Sequence, residues 1–151
     1  MDSFKTLQDV ITFAVEKEEA AYQLYHSTAQ RVQSPAARKM LEEMAAQELG
    51  HKRMMEAMTQ QKLAAYNFAR VPDLKISNYL VDVEVTEGMS FRDVLVFSMK
   101  SEEAAYQLYT DAERLADDPE IKNALRLMAT EEKKHKLHLE TMYDDKILAE
   151  M

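Results

Sequence analysis

Six residues of this 151-residue chain have side chains that bind metal ions and stand at matched spacings: Glu18, Glu48 and His51, then Glu102, Glu132 and His135. Glu48-Leu49-Gly50-His51 and Glu132-Lys133-Lys134-His135 are Glu-x-x-His motifs. On a helix, residues three apart leave from the same face. That face is apolar in both cases, since Met44 and Met55 flank the first motif and Met128 and Leu139 the second. Glu18 stands inside the apolar stripe of Leu7, Val10, Ile11, Ala14 and Ala21, and Glu102 stands between Leu95, Ser98 and Ala105. A carboxylate in such a stripe must find a counter-charge or destabilise the packing of its helix.

The elements that carry these residues are written twice. At an offset of 84, Glu18-Glu19-Ala20-Ala21-Tyr22-Gln23-Leu24-Tyr25 repeats without change as Glu102-Glu103-Ala104-Ala105-Tyr106-Gln107-Leu108-Tyr109. The register runs on through Asp9/Asp93, Pro35/Pro119, Met44/Met128, Glu48/Glu132 and His51/His135. Each half therefore reads as one helical hairpin. Thr6-x-x-Asp9 and Ser90-x-x-Asp93 start helices as capping boxes, and Ser34-Pro35 and Asp118-Pro119 start the second helix of each half. The expected helices are 4–32, 35–65, 90–116 and 119–148, in hairpins 4–65 and 90–148. Segment 66–89, with Val71-Pro72-Asp73 and the alternating Val81-Asp82-Val83-Glu84-Val85, is too long for a tight turn and suits a crossover along a bundle.

Counting from the turns sets the heights. Glu18 lies 16 residues before Ser34 and Glu48 14 after it; Glu102 and Glu132 stand in the same relation to Asp118. Four carboxylates and two imidazoles should then converge mid-bundle. Like charges crowded in a low dielectric oppose folding. Two divalent cations would neutralise them, and oxygen-rich ligation with one nitrogen per metal suits iron or manganese.

Composition narrows the remaining possibilities. Two glycines, and many Ala, Glu, Leu, Met, Lys and Gln, argue for an all-α domain spanning 1–151. Without cysteine there is no disulfide, thiolate metal site or iron–sulfur cluster within the sequence. A net charge of −8 disfavours a nucleic-acid surface. No run of about 18 apolar residues suggests a membrane partner. The first residues lack the basic and apolar blocks of a secretory signal, so a cytoplasmic protein is expected. His26 is expected at the surface and the methionines mostly in the core.

Glu18-x-x-Ala21-x-x-x-Tyr25 and Glu102-x-x-Ala105-x-x-x-Tyr109, each followed by Glu-x-x-His on the next helix, resemble the ferritin-like di-iron carboxylate proteins, specifically the rubrerythrin-type branch without the rubredoxin module. The resemblance implies a ferritin-like four-helix bundle of two hairpins joined by a long crossover. It makes Glu48 and Glu132 bridging ligands, with Glu18 and Glu102 as terminal carboxylates and His51 and His135 as terminal imidazoles. It also offers Tyr25 and Tyr109 as residues that hydrogen-bond the carboxylates or pass electrons. The implied cofactor is two iron ions, with manganese as the alternative. The implied activity is reduction of hydrogen peroxide or dioxygen with electrons from a separate donor protein, in a homodimer or small homo-oligomer. Iron storage or ferroxidation without peroxidase turnover is the other function it allows. Ala105 stands where rubrerythrin has an additional glutamate, and Leu49 where bacterioferritin has its haem-binding methionine, so no haem is expected.

Overall fold

The computed structural model describes residues 3–71, 74–81 and 88–150. Five α-helices are present among them: α1 Leu7–Arg31, α2 Pro35–Gln61, α3 Leu63–Phe68, α4 Phe91–Leu115 and α5 Pro119–Glu150, with a 3-10 turn at Ile76–Tyr79. Strand pairing among the described residues is limited to isolated bridges, Ser3 with Lys75 and Thr6 with Arg70. Among the described residues no helix is long and apolar enough to cross a membrane. The molecule is a helical bundle in which α1 packs along α2 and α4 along α5.

Local chemistry fixes the helix starts. Thr6 Oγ1 accepts from Asp9 N at 3.4 Å while Thr6 N donates back to Asp9 Oδ2 at 3.2 Å, a complete capping box. Ser34 Oγ accepts from Ala37 N at 3.2 Å, with Pro35 in the first turn of α2. Ser90 Oγ takes Asp93 N at 3.1 Å, and Asp118 Oδ1 takes the amides of Glu120 and Ile121. These contacts satisfy donors that the first turn of a helix leaves open.

The connection between hairpins is more ordered than its composition suggests. Instead of running to residue 65, α2 stops at Gln61; Lys62 leaves the helical region (φ −125°, ψ 35°) and α3 sets off in a new direction. The bend lets Tyr66 fold into the core at 1% exposure. Val71 and Leu74 are buried beyond it, and Leu74 O and Ala69 O accept from Phe4 N and Leu7 N at 3.1 and 2.9 Å. Tyr79 then pins the crossover to α4, donating from its hydroxyl to Asp111 Oδ2 at 2.7 Å. Pro72, Asp73 and the stretch Asp82-Val83-Glu84-Val85 lie outside the described residues.

The apolar core is divided. One cluster joins the start of α1 (Leu7, Val10, Ile11) to Met55, Leu108, Leu125 and Met128. The other joins the end of α1 (Tyr25, Ala29) to Leu41, Met44, Leu95 and Leu139. On all four long helices the boundary falls at the level of Glu18, Glu48, Glu102 and Glu132. Two apolar lobes thus clamp a polar layer from either end. Leu41 and Leu125, one in each lobe, are at most 1% exposed. Leu41→Ala and Leu125→Ala should each lower stability by about 2–5 kcal/mol in urea titration. A loss under about 1 kcal/mol at either position would mean that its lobe is not close-packed.

Candidate metal centre

All six residues singled out by spacing come together in the polar layer. Glu18, Glu48, Glu102 and Glu132 are 1–2% exposed, His51 4% and His135 1%. Two overlapping quartets result, Glu18/Glu48/His51/Glu132 and Glu48/Glu102/Glu132/His135. Within each, one donor atom per residue lies within 4.8 Å of the others. Glu48 and Glu132 belong to both quartets; the other four residues belong to one each. His51 Nδ1 sits 2.9 Å from Glu132 Oε1, and His135 Nδ1 sits 2.8 Å from Glu48 Oε1. The imidazoles lie nearly parallel across the layer, centroids 6.2 Å apart.

A cation fits this donor set on the structure's own terms. Glu18 Oε2 and Glu102 Oε2 are buried without a hydrogen-bond partner, and Glu48 Oε1 and His135 Nδ1, though 2.8 Å apart, make no aligned hydrogen bond. Orphaned polar atoms in a protein interior ordinarily cost about 1–3 kcal/mol each, so a concentration of them at one point calls for an occupant. The donors are hard oxygens with one imidazole nitrogen per quartet, a set suited to iron or manganese.

The charge balance of the ion-free cluster points the same way. Burial, then the charges of Glu102 and Glu18, holds Glu48 well above the ordinary carboxylate range. Burial followed by Glu102, Glu48 and Glu18 does the same to Glu132. Burial also resists ionisation of Glu18, but hydrogen bonds with His51 and Glu48, the His51 charge and Tyr109 outweigh it and bring Glu18 below that range. For His51 burial favours the neutral ring, yet Glu18 and then Glu131 overcome it and raise the group to about 9. Without a cation, protons do the work of charge compensation.

Each tyrosine reaches across to the other hairpin. Tyr25 Oη donates to Glu102 Oε1 at 2.5 Å, and Tyr109 Oη donates to Glu18 Oε1 at 2.6 Å. Burial, with the adjoining carboxylates, pushes both phenols well above their usual range, so they remain donors. Two further residues escaped the sequence reading. Glu131 Oε2 lies 2.8 Å from His51 Nε2, and Gln47 Oε1 contacts His135 Nε2. Their signal was the register itself: 47 and 131 differ by 84, and each precedes a Glu-x-x-His motif. Glu19 and Glu103 are half-buried and paired with Lys52 and Lys136 at 2.8 and 3.2 Å. Tyr22 stacks on His26, and Tyr106 lies under Lys133.

A cavity of about 340 Å³ opens between α1 and α4. Its inner end is formed by the four carboxylates and both tyrosines, and its walls include Phe13, Leu24, Phe97 and Leu108. The histidines, carried on α2 and α5, stand on the opposite side of the layer. This cavity gives the carboxylates a sheltered apolar approach.

Comparison with known proteins places this geometry. The rubrerythrin family model matches residues 7–84 and 93–150. A protein of Thermotoga maritima described as ferritin-like diiron-carboxylate superposes with a TM-score of 0.82 at 18% identity, covering 97% of this chain and 99% of that one. A hypothetical protein of Pyrococcus furiosus gives 0.76 at 23% identity over 96% and 92%. A dodecameric thioferritin, the bacterioferritin-related protein of Bacteroides fragilis, gives 0.75 at 20% identity over 95% and 88%. No match was found among curated proteins.

The raised groups set a pH dependence for metal-stripped protein. Folded Glu48, Glu132 and His51 hold protons more tightly than the unfolded chain, so their contribution to stability is present at low pH and falls as the protons leave. For His51 that loss spans from 6.5 to about 9. Glu18 acts oppositely, but only below about 4.5. Melting temperature in the presence of a chelator should therefore fall as pH rises from about 6.5 to about 9. A rise over that interval would show that the cluster is not proton-compensated.

Proposed function

This chain belongs to the rubrerythrin family, and on that premise we propose that it is a di-iron oxidoreductase that reduces hydrogen peroxide or dioxygen. The observation that supports this reading most is the sharing of Glu48 and Glu132 between two buried quartets, each completed by one more glutamate and one histidine. Glu48 and Glu132 would each face both ions, Glu18 with His51 would complete one position, and Glu102 with His135 the other. Two Fe(II) held there would supply the two electrons that, with two protons, reduce hydrogen peroxide to two waters.

The residues around the site supply the conditions for that reaction. Tyr25 and Tyr109 donate from their hydroxyls to Glu102 and Glu18 and so fix the orientation of both carboxylates. The cavity between α1 and α4 admits a small oxidant, and its apolar walls limit bulk water at the carboxylates. Neither quartet contains a redox-active side chain, and the 151 residues include no cysteine. Re-reduction therefore requires a donor outside this sequence, such as a rubredoxin or a flavoprotein. We place the protein in the cytoplasm and expect a homodimer or small homo-oligomer.

The second reading, iron storage with oxidation serving only deposition, has support in the dodecameric assembly of the thioferritin with a similar fold. Assembly mass separates the two. Light scattering should give a dimer or small oligomer with two irons per chain; a closed shell holding many irons per chain would favour storage.

Glu48→Ala or Glu132→Ala should abolish binding of both irons, whereas Glu18→Ala should leave about one per chain by metal analysis. Equal losses from all three would contradict the shared-ligand assignment. Anaerobic loading with Fe(II), then separate peroxide and oxygen challenges followed optically, should show faster oxidation by peroxide and repeated turnover once a reductant is supplied. Oxidation by oxygen alone, without turnover, would move the protein to the storage reading.

A further inference from the structure

The two halves of the centre differ at one chemically important place. Positions 47 and 131 correspond in the 84-residue register, yet one is glutamine and the other glutamate. Each supports the histidine of the opposite hairpin: Glu131 faces His51 Nε2 at 2.8 Å, and Gln47 faces His135 Nε2. Both rings thereby direct Nδ1 at the carboxylate layer, 2.9 Å from Glu132 for His51 and 2.8 Å from Glu48 for His135. With an oxygen acceptor behind it, Nε2 carries the proton, and Nδ1 offers its lone pair when a cation is bound.

The two acceptors are not equivalent. A carboxylate behind an imidazole adds a full negative charge and makes the ligating nitrogen a stronger donor. An amide oxygen orients the ring equally well but adds only a dipole. The main contacts between the hairpins are reciprocal: Tyr109 serves Glu18 as Tyr25 serves Glu102, and each histidine approaches the shared glutamate of the opposite hairpin. Only His51 also nears the glutamate of its own motif, at 3.7 Å among the described contacts, and only Tyr109 nears a methionine sulfur. Behind the two rings, the difference in charge is Glu131 against Gln47.

We propose that Glu131 and Gln47 are positioning residues that make the two cation positions unequal, so that the Glu18–His51 position holds a divalent ion more tightly than the Glu102–His135 position. The proposal rests on the two-cation reading given above. It assigns the protein an order of loading: one ion enters beside His51 first, and the second follows at higher concentration. Supports of this kind change metal affinity by about 10–100-fold.

Cobalt(II) titration of metal-stripped protein, read by absorption and calorimetry, tests this without turnover. Wild type should load in two steps separated by about 10–100-fold. Glu131→Gln should weaken the first step and Gln47→Glu should strengthen the second, so that each single exchange brings the two steps together. The double exchange should restore two steps. Glu102→Ala, which leaves the Glu18–His51 position intact, should retain one cobalt more tightly than Glu18→Ala does. Circular dichroism reports whether each variant keeps its helices. Two bound ions whose affinities move with neither exchange would overturn the proposal and leave the two-cation reading standing. A wild type that binds no cobalt would remove both.

Discussion

Four carboxylates gathered in the middle of an apolar bundle are the constraint around which the rest of this structure is arranged. Two unit charges about 4 Å apart repel by about 4 kcal/mol at an effective dielectric near 20. The donor atoms of each quartet lie within 4.8 Å of one another, so the repulsion among fully ionised groups would rival the whole stability of a domain. Protons or cations must answer it. The ion-free centre uses protons, holding Glu48 and Glu132 above the usual carboxylate range and His51 at about 9. Cations would displace those protons and meet the buried atoms that have no partner, Glu18 Oε2 and Glu102 Oε2 among them.

Much of what holds the layer in place lies outside it. Lobes of apolar side chains above and below fix the long helices at the level where the charges meet. Tyr25 and Tyr109 cross between hairpins, so neither terminal glutamate is positioned by its own half alone. Gln47 and Glu131 do the same for the histidines. Tyr66, Val71, Leu74 and Tyr79 of the crossover join the first of these lobes, and Tyr79 hydrogen-bonds Asp111. The crossover contributes Tyr79, Leu80 and Val81 to the edge of the cavity. A ligand set that resists its own assembly is held together by cross-hairpin bonds and by burial on either side.

Much of this was legible in the chain because helical spacing is local. The offset of 84 exposed the hairpin unit, caps such as Thr6 and Ser34 marked where helices begin, and counts from the turns set the common height. The crossover was harder to read, because its order comes from tertiary contacts. Nothing in the composition near Lys62 announces a break, and the burial of Tyr66 that accompanies it depends on a distant lobe. The roles of Gln47 and Glu131 are hidden in the sequence for a related reason. Polar residues beside a motif look solvated until the opposite hairpin is in place, and their partners are 88 and 80 residues away.

The account stands or falls on where cations bind. Anomalous diffraction at the iron edge from crystals grown with Fe(II) under anaerobic conditions addresses that directly. Two peaks per chain are predicted between Glu48 and Glu132, one beside His51 Nδ1 and the other beside His135 Nδ1. An empty carboxylate layer, or iron confined to surface carboxylates elsewhere on the bundle, would contradict it.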